Sequence, residues 1–122
     1  MIKTARHYHD PAAEAVTAID KLKELQPNWD SYGAGAPDLH AREQAKGFVY
    51  AVAEKLGPEY AHPRVGPTAD GGVALIWRRP GHPKVEVFFA PDGPRFAVMH
   101  ARKLLDKGPV TSLTFLKQYL AL

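Results

Sequence analysis

The sequence predicts an α+β domain in which two N-terminal helices pack on a three- to four-stranded antiparallel meander, with a short helix at the C-terminus. Three observations carry this. Two upstream stretches repeat apolar residues at spacings of three and four, the pattern of a helix with one buried stripe. The stretch Val73–Met99 is rich in β-branched and aromatic residues that alternate in character, and Pro- and Gly-rich clusters interrupt it twice. The chain has 122 residues, enough for one core. It reads as a single domain, 1–122, with residues 1–9 as a flexible N-terminus because they show no periodicity.

The first helix begins at Asp10, a good N-cap, with Pro11 at the first helical position and Glu14 facing the positive end of the helix dipole. Its stripe is Ala12, Ala15, Val16, Ile19, Leu22 and Leu25, and Pro27 ends it. Asp38 caps the second helix, whose stripe is Ala45, Phe48, Val49, Val52 and Leu56 up to Gly57-Pro58. Gly47 inside it is expected where close packing on the first helix requires it. Between the helices, Trp29 and Tyr32 sit among turn formers. Both aromatics are expected to plug gaps between elements, and Asn28 or Asp30 to bond the local backbone. The alternative for Trp29, Asp30 and Tyr32 is a ligand-contacting loop.

Val65 is placed on a short edge strand blunted by Pro63 and Pro67, and Ala69-Asp70-Gly71-Gly72 turns the chain into the meander. The predicted strands are Val73–Arg78, Lys84–Ala90 and Arg95–Met99. A five-residue first loop sets Val73, Leu75 and Trp77 opposite Phe89, Val87 and Val85. A four-residue second loop sets Val85, Val87 and Phe89 opposite His100, Val98 and Phe96, with His100 closing the end of the core. One face is then almost wholly apolar. The other has an apolar centre, Ile76, Phe88 and Met99, inside a charged margin that includes Arg78, Lys84 and Arg95, with Glu86 paired diagonally to Arg78. Beyond the sheet, Ala101–Gly108 reads as helical or irregular. Ser112 then caps a last helix, Leu113–Leu122, apolar on nearly all sides. Such a helix covers the second face of its own sheet or packs on another copy.

Composition narrows the function. With no cysteine, disulfides, thiol nucleophiles and thiolate metal sites are excluded. No stretch approaches the roughly 18 apolar residues of a membrane span. The start, Met1–Arg6, leads into no signal-peptide core, so a cytoplasmic protein is expected. Residues 1–60 hold 7 basic and 9 acidic side chains, whereas residues 61–122 hold 9 and 4. The sheet half is therefore basic, which suits an acidic partner or nucleic acid. His7 and His9 alone make no metal site, no phosphate-cradling loop is present, and no cofactor is called for.

Three fragments carry a resemblance: Asn28-Trp29-Asp30-Ser31-Tyr32-Gly33-Ala34, Gly71-Gly72-Val73-Ala74-Leu75-Ile76-Trp77 and Phe88-Phe89-Ala90-Pro91-Asp92-Gly93. They resemble a loosely defined group of small uncharacterised bacterial proteins with an Asn-Trp-Asp-Gly-Tyr-Gly-Ala stretch between two helices and a Gly-Gly-Val-x-Leu-x-Trp strand. The chain departs from the group at Ser31 and Ile76. The resemblance implies no catalytic residue, and it implies an accessory role of the antitoxin or immunity kind.

The function expected is a non-enzymatic protein-binding module, self-associating as a homodimer or binding a protein partner. Ile76, Phe88, Met99, Arg78, Arg95, Leu116 and Tyr119 are its candidate contacts. The alternative is a nucleic-acid-binding domain using Arg78, Arg79, Lys84, Arg102 and Lys103, with Phe88 stacking a base. A metal-free nuclease ranks below both, because no spacing favours a His and Arg pair.

Overall fold

The structure, a computed structural model, describes residues 10–90 and 93–120. The N-terminal segment with His7 and His9, the Pro91-Asp92 pair and the last two positions of the C-terminal helix expected from the sequence lie outside the described residues.

The two N-terminal helices form where the caps place them. Helix α1, Pro11–Lys21, opens with the Asp10 carboxylate accepting from the Ala12 amide at 3.1 Å, and a short 3₁₀ turn, Leu22–Glu24, extends it. Helix α2, Leu39–Lys55, opens with Asp38 accepting from the Ala41 amide at 3.2 Å. Their buried faces are made of small or branched residues: Ala12, Ala15 and Ile19 on one helix, and Ala41, Ala45, Val49 and Val52 on the other. The expectation for Gly47 fails, since it faces open space and the alanines occupy the packed face. Lys46 ties the helices together, its ammonium 2.8 Å from both Asp20 and Glu43.

Five antiparallel strands follow in sequential order: β1 (Arg64–Pro67), β2 (Val73–Trp77), β3 (Lys84–Ala90), β4 (Gly93–His100) and β5 (Lys103–Pro109). The sheet is thus wider than the three or four strands expected. The β1 edge strand is present as read, with Val65 opposite Leu75. The β2–β3 register is also as read, with Val73, Leu75 and Trp77 opposite Phe89, Val87 and Val85.

The next register differs. Ala90 already faces Gly93, so two residues separate the strands instead of four. Val85, Val87 and Phe89 therefore face Val98, Phe96 and Pro94. A shift of two residues leaves every side chain on its expected face, because the pleat repeats every two. It also overturns the role given to His100, which pairs with Lys103 and is exposed.

The largest departure is β5, in the stretch read as helical or irregular. A two-residue turn, Ala101-Arg102, connects it to β4, and both residues have positive φ (51° and 66°), as tight mirror-image hairpin turns require. A bulge follows. Val98 faces Asp106 and Met99 faces Leu104, which leaves Leu105 extra.

The C-terminal helix α3 spans Thr114–Leu120. Phe115 stacks on Phe96 (ring centroids 4.4 Å apart), and Leu116 and Leu120 are fully buried. On the same side, Phe48 of α2 meets Trp77 and Phe89 edge-on at 6.2 and 5.6 Å. All three helices feed one core, and the strand residues in it belong to a single row: Val73, Leu75, Trp77, Val85, Val87, Phe89 and Val98, with Phe96 against it. The described part of the helix thus does not cover the second face of the sheet. It completes the layer that α1 and α2 begin, and the described residues form two layers with one sheet face left open among them.

Candidate binding surface

The open face is built by the alternate residues of the strands that make the core. The register aligns Ala74, Phe88 and Arg95 across β2, β3 and β4, and aligns Ile76, Glu86, Ala97 and Lys107 across β2 to β5. Lys84, Met99 and Leu104 form the next row. Ile76, Phe88, Ala97 and Met99 are only partly covered, and Leu104 is 51% exposed. Among the described residues, the helices pack on the opposite side.

Each end of the face is concave. At one end a depression of about 640 Å³ is lined by Phe88, Ala97, Arg95, Lys107, Thr68 and Asp70, among others. At the other, a smaller one of about 290 Å³ is lined by Arg78, Lys84, Met99, His100, Ala101 and Arg102. Five cations thus stand at the two ends. Glu86, in the row with Ile76 and Ala97, lies 3.4 Å from the Lys84 ammonium, and Asp70, in the lining of the larger depression, accepts from the Thr68 hydroxyl and, at 3.3 Å, from the Gly72 amide. The ion pair expected between Glu86 and Arg78 is replaced by this neighbour on the same strand. Ile76, Phe88, Ala97 and Met99 make an apolar patch around the Glu86–Lys84 pair, with Arg95 and Lys107 towards one end and Arg78 and Arg102 at the other.

Backbone geometry fixes the wall of the larger depression. The Thr68 hydroxyl accepts from the Gly72 amide at 2.9 Å, and Gly71 has a φ of 88°. A Cβ on Gly72 would lie 2.3 Å from the Phe89 carbonyl oxygen, so only glycine lets the loop approach β3 this closely.

No family model, curated protein or solved structure matches the chain. The assignment therefore rests on the geometry.

The candidate contacts divide. Ile76, Phe88 and Met99 share the open face, and Arg78 and Arg95 stand exposed at its ends. Leu116 and Tyr119 are elsewhere: Leu116 is fully buried in the protein's own core, and the Tyr119 hydroxyl donates to Asp106 at 3.0 Å. Burial, reinforced by the Asp106 charge, pushes the Tyr119 phenol above its ordinary pKa. Of the residues proposed for nucleic acid, Lys84 and Arg102 reach the smaller depression with Arg78. Arg79 instead donates to the Leu120 carbonyl at 2.7 Å and so fastens α3, and Lys103 falls beside His100 on the other side of the hairpin.

The inter-helix loop is knitted to itself. Trp29 donates its indole N–H to the Gly35 carbonyl at 2.8 Å, and Asp30 accepts from the Tyr32 and Ala34 amides at 2.9 and 3.1 Å. Asn28, at a φ of 67°, accepts from the Gly33 amide at 2.6 Å. Two of the three candidate ligand residues, Trp29 and Asp30, thus hold the loop, while Tyr32 plugs no gap and is 92% exposed. Among the described residues, no group of three or more His, Asp and Glu side chains is placed to hold a metal ion, and no helix is long and apolar enough to cross a membrane.

Sequence reasoning missed Leu104 and the strand β5 that brings it and Lys107 onto the face. The turn before them lacks Gly and Asn, and the bulge at Leu105 breaks the alternation that marks a strand.

Proposed function

We propose that this protein is a small binding module that docks a protein partner with an acidic surface on the open face of its sheet. One observation carries the reading: an apolar patch (Ile76, Phe88, Ala97, Met99), interrupted by Glu86 in its pair with Lys84, lies between Arg95 with Lys107 and Arg78 with Arg102. Apolar area supplies the driving force for such a contact, while complementary charge selects the partner and its orientation. Self-association through this face would set these cations against their own copies, at a cost in like-charge repulsion, so a foreign acidic partner fits better than a second copy. Covering an acidic surface in this way agrees with the accessory, antitoxin- or immunity-like role that the motif resemblance implies.

A second reading follows from the same cations. A single-stranded nucleic acid would find phosphate contacts at both ends and one ring, Phe88, to stack on. A lone aromatic on the face, among the described residues, supports it less than the apolar band supports a protein.

Site-specific photo-crosslinking separates these readings. A benzophenone side chain is introduced at Ala97 on the face and, as control, at Tyr50 on the exposed side of α2, in cells of the source organism. The Ala97 probe is expected to yield a discrete protein adduct whose partner carries net negative charge and which the Tyr50 probe does not give. Adducts at twice the chain mass of 13.4 kDa would replace that partner with a second copy. Adducts removed by nuclease would favour the second reading. No adduct at Ala97 beyond the control would contradict a binding role for this face.

A further inference from the structure

The surroundings of the face restrict what kind of element can sit on it. A segment docked flat on a sheet finds no backbone donors or acceptors there, because the ladder has used them. An extended segment would leave its own amides unpaired, whereas a helix satisfies them internally. Addition of a strand at the sheet edges is the other route for an extended segment, and both edges oppose it. β1 is four residues long, preceded by Pro63 and ending in Pro67; β5 carries the Leu105 bulge, Lys103, Lys107 and a terminal Pro109.

The spacing of the charges agrees with a helix. Arg95 belongs to the larger depression and Met99 to the smaller, four residues apart on β4 and so about 13 Å apart along the strand. Eight residues of helix rise about 12 Å, and residues seven or eight apart return to the same side. A stripe of two turns therefore spans the apolar band from one cationic end to the other.

Resting on the docking role proposed above, we infer that the partner element seated on this face is an acidic amphipathic helix. Its apolar stripe meets Ile76, Phe88 and Met99. Carboxylates on its flanks meet Arg95 and Lys107 at one end and Arg78 and Arg102 at the other. The helix adds the missing second layer to the sheet, so that the complex has three layers where the free chain has two.

Selection from a phage-displayed library of random 16-residue peptides on the immobilised full chain tests this. Enriched peptides are synthesised, their dissociation constants are read by fluorescence anisotropy, and their helicity with and without the protein is read by circular dichroism. The expected peptides carry apolar residues at i, i+3, i+4 and i+7 flanked by Asp or Glu, and they gain helicity on binding. They bind at least tenfold more weakly to the Arg95→Glu/Lys107→Glu and Arg78→Glu/Arg102→Glu variants, whose urea midpoints match the unsubstituted chain.

Acidic peptides without that spacing, or without a gain of helicity, would overturn the helix and leave the acidic docking role standing. Peptides without acidic bias, peptides indifferent to both variants, or an empty selection would overturn the helix and the docking role together. Displacement of the peptides by an equimolar 20-nucleotide single strand, with affinity falling steeply in salt, would assign the face to nucleic acid instead.

Discussion

The two faces of the sheet come from the same five strands, yet they have opposite fates. On the helix side, Val85, Val87 and Phe89 of β3 are sealed under α1, α2 and α3. One residue away on the same strand, Lys84, Glu86 and Phe88 remain partly open. The inner row is apolar from β2 to β4 and holds the fold together. The outer row mixes apolar Ile76, Phe88, Ala97 and Met99 with charged Lys84, Glu86 and Lys107. Under the proposed docking role, its apolar part is the surface that a partner covers.

Paired truncations on β2 give the largest expected contrast. Leu75 is fully buried on the helix side, and Leu75→Ala should cost about 2–5 kcal/mol in urea unfolding. Its neighbour Ile76 is on the open side and half-covered, so Ile76→Ala should cost about 1 kcal/mol or less. Equal costs would mean that the outer face is structural. Gly72→Ala probes the wall of the larger depression. The new methyl group would collide with the Phe89 carbonyl oxygen, and a loss of about 1–3 kcal/mol is expected from the same melts.

The outer hairpin offers a change of opposite sign. Ala101 is held at positive φ, a conformation glycine adopts freely, so Ala101→Gly should stabilise by up to about 1 kcal/mol while leaving the face intact.

The helix layer can be weakened separately by acid. The hydrogen bond from Lys46, aided by its charge, holds the Asp20 carboxyl below its ordinary pKa. A carboxylate depressed in the folded state stabilises fully above the unfolded value near 4 and loses that contribution as pH falls through the folded value. Asp20→Asn should therefore lower stability slightly at pH 7 and match the unsubstituted chain at about pH 2. A difference that persists at pH 2 would mean that the effect is not electrostatic.

Much of this contrast was legible in the residues. The caps at Asp10 and Asp38, the β1 edge and the β2–β3 register follow from short-range rules that tertiary packing did not override. The apolar centre at Ile76, Phe88 and Met99 survived a wrong loop length because the error was two residues, an even number.

Two features were not legible, each for a physical reason. Strand β5 hides behind a turn of Ala and Arg, residues that rarely adopt positive φ, and behind a bulge that erases its period. The apolar character of the C-terminal helix suggested a partner, but its apolar residues are absorbed at home. Phe115 lies on Phe96, Leu116 and Leu120 sink into the core, and Tyr119 keeps its hydroxyl on Asp106. How deeply one layer of helices fills a core depends on sheet width, and the fifth strand was unseen.

The most direct measurement compares two adjacent residues of β3. Phe88→Glu and Phe89→Glu place the same charge one position apart, on opposite faces. Circular dichroism and urea unfolding should show Phe89→Glu unfolded at 25 °C, because a carboxylate cannot be buried there unpaired. Phe88→Glu should remain folded, with a midpoint close to that of the unsubstituted chain. Unfolding of both, or tolerance of both, would contradict the division of the sheet into a face that folds the protein and a face that is free to bind.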